Sequence, residues 1–224
     1  MRSALSPPDP TILAFDTSAA HCAAALLRGG EIVSKRFEEM KRGQAERLMP
    51  LLEEVLAETG SVWEELDAIG VGIGPGNFTG IRIAVSAARG LALGLGVPAV
   101  GVSTFEVAYE PIDYSMAGAR ARKRAQVRQL SDYVYLAAPK DCLYGQRFKF
   151  GRPQGEPWLE KPQDNDLSPH EAEVEWAEGG IEKLSKLAAE KTLTGEDIPR
   201  PAPLYVRPAD AAPPKDPAPV ILDG

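Results

Sequence analysis

Apolar residues along this chain follow two alternating rhythms. One is the short unbroken run. "TILAFD" (11–16), "AIGVGIG" (68–74) and "PAVGV" (98–102) are apolar on both phases of a strand, which predicts strands covered on both faces. The other is helical. Leu48, Leu51, Leu52, Val55 and Leu56 recur at i, i+3, i+4, i+7 and i+8, predicting a helix that begins near Gly43 and ends at Gly60. "CAAALLRGGEIVSKRF" (22–37) reads as two strands around a Gly29-Gly30 hairpin turn. "SVWEEL" (61–66) offers a Ser61-x-x-Glu64 capping box for a short helical turn. A second long helix, rich in alanine, is predicted over 79–95 and closed by Gly94 and Gly96, and a third opens at Ser103. The order β-β-β-α-β-α-β-α predicts an α/β fold, a mixed sheet with helices on both faces.

From residue 109 the rhythm weakens, which divides the chain into an N-terminal domain (1–108), a smaller second α/β domain (109–198) and a proline-dense tail (199–224). "AGARARKRAQVRQ" holds Arg120, Arg122, Lys123, Arg124 and Arg128 with no acid between them. "DYVYLAAP" and "CLYGQRFKF" form a predicted hairpin around Lys140-Asp141. "SPHEAEVEWAE" starts like a helix, with Ser168 as N-cap, Pro169 at N1 and Glu171 at N3. "GGIEKLSKLAAEK" gives another helix, and the tail carries one apolar knot, "PLYVR".

Composition narrows the chemistry. A net charge of −7 over 224 residues argues against a protein that coats nucleic acid. Two distant cysteines, Cys22 and Cys142, make no disulfide framework and fit a reducing compartment. The first residues lack the apolar core of a signal peptide, and no run approaches the ~18 apolar residues of a membrane span. A soluble cytoplasmic protein is expected. The two histidines, His21 and His170, cannot supply a His-x-x-x-His metal pair, and a Ser-His-Asp triad would have to use one of them, His21 at a turn or strand start or His170 at a solvated helix start.

The stretch "GIGPGNFTGIRIA" (72–84) is where chemistry would sit. A glycine turn feeding a helix N-terminus offers backbone N–H groups to an anion, and Asn77 or Thr79 can cap the helix. The residues Gly80-Ile81-Arg82 stand where a P-loop has Gly-Lys-Ser/Thr, and the spacing also misses the Rossmann fingerprint. Anion cradle and structural turn both remain open. Asp16, Thr17 and Ser18 end the first strand; they suit a metal ion or phosphate oxygens, or a turn in which the Asp side chain caps local N–H groups. The candidate nucleotide-binding set is therefore Asp16, Thr17, Ser18, Gly74, Gly76, Asn77, Thr79 and Gly80. A second phosphate half-site is missing, because Gly179-Gly180 reads as a plain turn. The second helix carries Ala84, Ala87, Ala88, Gly90 and Ala92, little bulk on any side, which suits burial on more than one face. The arginine cluster suits RNA phosphates or a solvated linker.

"ILAFDTS", "GIGPGNFTGIRIAVSAARGLALGLGVPAVGVST" and "PAPLYVRPADA" together resemble the TsaB (YeaZ) family, closely over 11–108 and again near 199–210. The resemblance implies an actin/sugar-kinase-like (ribonuclease H-like) fold. It also implies a non-catalytic subunit that pairs with its paralogue TsaD in the complex transferring a threonylcarbamoyl group to the adenosine beside the anticodon of tRNA. TsaD carries metal-binding histidines after the strand matching "PAVGV"; here Ser103-Thr104-Phe105-Glu106 stands there. Further implied partners are the ATPase TsaE, tRNA through the complex, and a second copy of the chain through the same surface. The family's contact surface lies on the two N-domain helices, giving Leu48, Leu52, Val55, Arg82, Val85, Ala88 and Arg89 as interface candidates. No metal and no cofactor of the chain's own are implied, and ATP or ADP belongs at the boundary with the partner. The competing readings are an autonomous ATP-dependent enzyme, a peptidase of the glycoprotease-like class, and an RNA-binding module.

Overall fold

In the computed structural model, residues 9–109, 133–161, 174, 176–194 and 197–206 are described. The arginine cluster, the "SPHEAE" helix start and the tail beyond residue 206 lie outside them.

The unbroken apolar runs are the centre of a five-stranded sheet. β1 (Ile12–Asp16) and β4 (Ala68–Gly72) are buried along their whole length. They pair in parallel, as do β4 and β5 (Ala99–Val102). β2 (His21–Arg28) and β3 (Glu31–Glu39) add antiparallel to β1 through the Gly29-Gly30 turn, where both glycines have positive φ. The order is β3-β2-β1-β4-β5.

Two helices cover one face. α1 (Gln44–Glu58) buries its leucine and valine stripe there, and α2 (Phe78–Leu95) buries Ile81, Ala84, Val85, Ala88 and Ala92. α2 begins on Asn77, whose side chain accepts from the Gly80 N–H at 2.9 Å, and ends on Gly96 at φ 71°. Unlike the sequence expectation of no such run, α2 is long and apolar enough by composition to cross a membrane. Its packing on the sheet makes it a core helix.

The opposite face is covered by α4 (Ile181–Leu193), after α3 (Thr104–Ala108) and the second sheet have intervened. This corrects the boundary read from sequence. Residues 181–193 pack Ile181, Leu184, Ala188 and Ala189 against β1, β2, β4 and β5, so part of the expected second domain completes the first. Small residues permit this close approach: a Cβ on Gly70 would lie 2.9 Å from the Cβ atoms of both Ala14 and Ala188.

The second sheet is the hairpin of β6 (Tyr133–Ala138) and β7 (Cys142–Lys149) plus an unforeseen edge strand, β8 (Arg152–Glu160). Pro153, Gly155 and Pro157 hide β8 in the sequence, but prolines are tolerated on an edge. The expected Ser61/Glu64 capping box is displaced by one residue. The 3₁₀ turn Trp63–Glu65 is closed by the Glu65 carboxylate accepting from the Val62 N–H, while the Ser61 hydroxyl bonds Thr59 and Arg28.

Candidate functional site

The parallel strands β1 and β4 end side by side, so the turns that follow them meet. The "DTS" turn leaves β1, the "GPGNFTG" turn leaves β4, and the two pack directly on each other. Asp16, Thr17 and Ser18 are buried at 0%, 0% and 2% exposure. Asp16 Oδ1 accepts from the Ser18 N–H at 2.8 Å and the Ser18 hydroxyl at 2.9 Å, and lies 2.8 Å from His21 Nε2. The Thr17 hydroxyl donates to the Gly80 carbonyl at 2.7 Å, and the Asn77 N–H to the Ser18 carbonyl at 2.6 Å.

The glycines answer to this closeness. A Cβ on Gly72 would overlap the Asp16 carboxylate, one on Gly76 the Ser18 carbonyl, and one on Gly80 the Thr17 carbonyl. Gly74, at φ 91°, sits against Ile81 and precedes the cis peptide to Pro75. Asp16 makes the hydrogen bonds of a local cap through Oδ1, its buried Oδ2 has no hydrogen-bond partner among the described residues, and the glycines of 72–80 pack on residues 16–18 and Ile81.

Of the eight nucleotide candidates, Gly76, Asn77 and Thr79 are exposed. Asn77 and Thr79 face Lys41 and Arg42 across a cavity of about 330 Å³ between the starts of α1 and α2. Asp16, Thr17, Ser18, Gly74 and Gly80 are enclosed.

Two residues outside the candidate set, one weighed and set aside in the sequence and one not singled out, belong to this centre. His21, 3% exposed at the start of β2, is packed between the rings of Phe37 and Trp176 at 5.4 and 5.1 Å. Its signal was the tight connection that returns the chain from Asp16. Gly72 is the other; only the parallel pairing of β4 with β1 shows why that place holds no side chain. Beside them, burial pushes the Cys22 thiol up to about 12, with the Glu38 carboxylate adding to the effect. It is a core residue and no nucleophile at neutral pH.

The interface candidates divide sharply. Leu48, Leu52, Val55, Val85 and Ala88 are 0–2% exposed and pack on the chain's own sheet, which corrects their assignment as partner contacts. Helical periodicity marks the apolar stripe, and an amphipathic helix spends that stripe on its own core first. Arg82 is exposed. Its Nε donates to the Tyr205 hydroxyl at 2.9 Å and its guanidinium lies 3.9 Å from the Phe78 ring centre, while Tyr205 stacks on Phe78 at 4.8 Å. With the Leu204 N–H donating to the Ile73 carbonyl at 2.8 Å, residues 203–206 of the apolar knot are docked across the start of α2. Arg89 is half-buried.

Strand order β3-β2-β1-β4-β5, helices on both faces and paired turns at the ends of β1 and β4 define an α/β domain of the actin/sugar-kinase-like class. The family model described as "TsaD: tRNA N6-adenosine threonylcarbamoyltransferase" matches residues 31–121. The "tRNA threonylcarbamoyladenosine biosynthesis protein TsaB" of Haemophilus influenzae is 30% identical over 207 residues, 88% of this chain and 83% of that protein. Its Escherichia coli K12 namesake is 41% identical over 93 residues, 42% of this chain, so that the match spans only 40% of that protein's length. Among solved structures, "YeaZ from Pseudomonas aeruginosa" superposes with a TM-score of 0.52 at 31% identity, covering 71% of each chain. The chain belongs to the TsaB (YeaZ) family of tRNA threonylcarbamoyladenosine biosynthesis proteins.

Proposed function

We propose that this chain is a non-catalytic subunit that pairs with a TsaD-type catalytic paralogue and holds it active. The complex they form transfers a threonylcarbamoyl group to the adenosine beside the anticodon of tRNA. The observation that carries the reading is the interlock of the two turns. Where a nucleotide-using relative of this class needs open space at the ends of β1 and β4, this chain has its own Ser18 and Thr17 carbonyls against Gly76 and Gly80. The retained glycines orient the start of α2, and α2 with α1 presents the surface for pairing. Nucleotide contact with ATP or ADP belongs to the open rim, Gly76, Asn77 and Thr79, at the boundary with the partner. TsaE, tRNA and, in the absence of the partner, a second copy of the chain complete the set of proposed contacts.

The pairing surface is the side of α2 opposite the core stripe, where Ser86, Gly90 and Gly94 are exposed and leave room for another helix. A Cβ on Gly90 meets nothing within 4 Å, so Gly90→Arg keeps the monomer folded and places a long charged side chain in the contact. Co-purification with the TsaD-type partner is expected to fall at least tenfold for Gly90→Arg. Undiminished capture of the partner by this variant overturns the pairing surface. ATP turnover or threonylcarbamoyl transfer by the isolated chain overturns the non-catalytic role.

A further inference from the structure

The second sheet uses its two faces differently. Val134, Leu136 and Phe148 point to one side, where they pack with Phe105 of α3. The alternate positions point to the other. There Tyr133 stands opposite Arg147 and Tyr135 opposite Gly145, and the Trp158 ring lies where a Cβ on Gly145 would be. Trp158 meets both tyrosines edge-on, at 5.8 and 6.1 Å. Tyr133 is exposed and Trp158 is half-buried.

Positive charge gathers on this same face toward the turn between β7 and β8. Arg147 and Lys149 are two apart on β7, and Lys149 stands directly opposite Arg152. All three are exposed. Like charges directly opposite one another cost a sheet stability. The two-residue turn adds a second cost. Phe150 sits there at φ 52° and 91% exposed, in a conformation that favours Asn or Gly. Lys149 Nζ lies 5.5 Å from its ring centre. The carboxylates of β8 stand elsewhere. Glu156 lies in the bulge, and Glu160, opposite Leu143, accepts from Trp158 Nε1 at 2.8 Å. The core of the sheet requires neither an aromatic tip nor paired cations beside it.

We propose that this face and its tip form a contact for unpaired RNA. Bases stack on Phe150 and Tyr133, and the neighbouring phosphates lie on Arg147, Lys149 and Arg152. Aromatic rings accept the flat face of any base, and cations beside them follow the backbone. Cations alone would attract a duplex as readily; rings exposed among them favour nucleotides whose bases are splayed out. In a chain of net charge −7 the contact is local, a hold on one loop of RNA and not a coat along it. That tRNA is the natural RNA rests on the function proposed above, whereas RNA binding by the chain alone does not.

A fluorescein-labelled oligoadenylate titrated with the full chain, and followed by anisotropy, tests this. Saturable binding is expected, with log K falling by about 2 per decade of salt, as three phosphate contacts on a single strand require. Phe150→Ala and Tyr133→Ala each weaken it about fivefold or more. Arg147→Gln combined with Lys149→Gln brings the salt slope below about 1. Phe150→Asn is expected to melt at or above the parent, because Asn accepts the left-handed turn, and yet to bind as weakly as Phe150→Ala. Absence of saturable binding overturns the proposal, as does equal affinity in the parent and the Phe150 variants. A melting temperature lowered by Phe150→Asn assigns the ring to structure and overturns it too. So does Phe150-dependent binding to phosphatidylserine vesicles with none to oligoadenylate, which makes the tip a membrane contact. Capture of the TsaD-type partner, measured in parallel, reports separately on pairing and is expected to be unchanged in Phe150→Asn.

Discussion

Glycine at position 72 and glycine at position 90 are the same residue under opposite constraints. At Gly72, in the middle of the site, an added methyl group runs into the Asp16 carboxylate, which is itself held by Ser18 and lies beside His21. At Gly90, on the outer face of α2, it meets nothing. Gly72→Ala is expected to destabilise on the order of 3 kcal/mol, as overpacking of a closed core does. Gly90→Ala is expected to stabilise by about 1 kcal/mol, the ordinary gain of alanine over glycine inside a helix. Urea unfolding of the two variants beside the parent chain checks both signs. Were Gly72→Ala as stable as the parent, the interlocked turns would be loose enough to admit a ligand. The sequence showed that glycines cluster at 70–80, yet it could not show which were demanded by neighbours. That depends on the register of β1 against β4, which brings residues more than fifty positions apart into contact.

Elements are joined here by matched charges as well as by the core. Arg47, near the start of α1, donates from Nε and Nη2 to Glu38 on β3 at 2.7 and 2.6 Å, and from Nη1 and Nη2 to Glu54, two turns along the same face of α1, both at 2.7 Å. The fork fastens α1 to the outermost strand of the sheet, which buries little of its own surface. Hydrogen bonding from Arg47 holds the Glu38 carboxyl below its ordinary value, and does the same for Glu54. A carboxylate with a depressed folded value contributes stability that is present above its unfolded value and lost as pH falls through the folded one. Arg47→Met is therefore expected to be less stable than the parent at pH 7, modestly so because the pair is partly exposed. The difference should shrink as the pH falls below about 4.3, the unperturbed glutamate value. Melting temperatures of both chains from pH 7 to pH 3 measure it, and a gap that does not narrow would place the effect in packing of the arginine stem. Helices α1 and α2 were legible to within a residue or two because their apolar stripes and glycine stops agree. β8 was not, since its prolines and glycine read as loop until an edge position makes them harmless.

At the scale of the molecule, chain order and spatial order part company after α3. The sheet built by residues 12–102 has one face covered by its own helices, but the other, with Ala14, Ala23, Ala25, Leu27, Val100 and Val102, is closed by α4, about eighty residues further on. Periodicity within α4 announces a helix without saying which sheet it will cover, so the sequence boundary near residue 108 cuts through a single core. A chain ending at residue 109 would leave that apolar face open to water, and exposed patches of this kind drive association. It is expected to lack a cooperative thermal transition and to aggregate, whereas a chain ending at residue 206 should melt cooperatively, because it retains α4 and the segment with Leu204 and Tyr205 docked on Ile73 and Phe78. Adding Leu184→Arg to the longer chain separates cover from mere length. The arginine would stand at a fully buried position facing the sheet, and the variant should melt like the short chain. A cooperative transition from the 109-residue chain would restore the first domain as an independent folding unit and reduce α4 to an appendage.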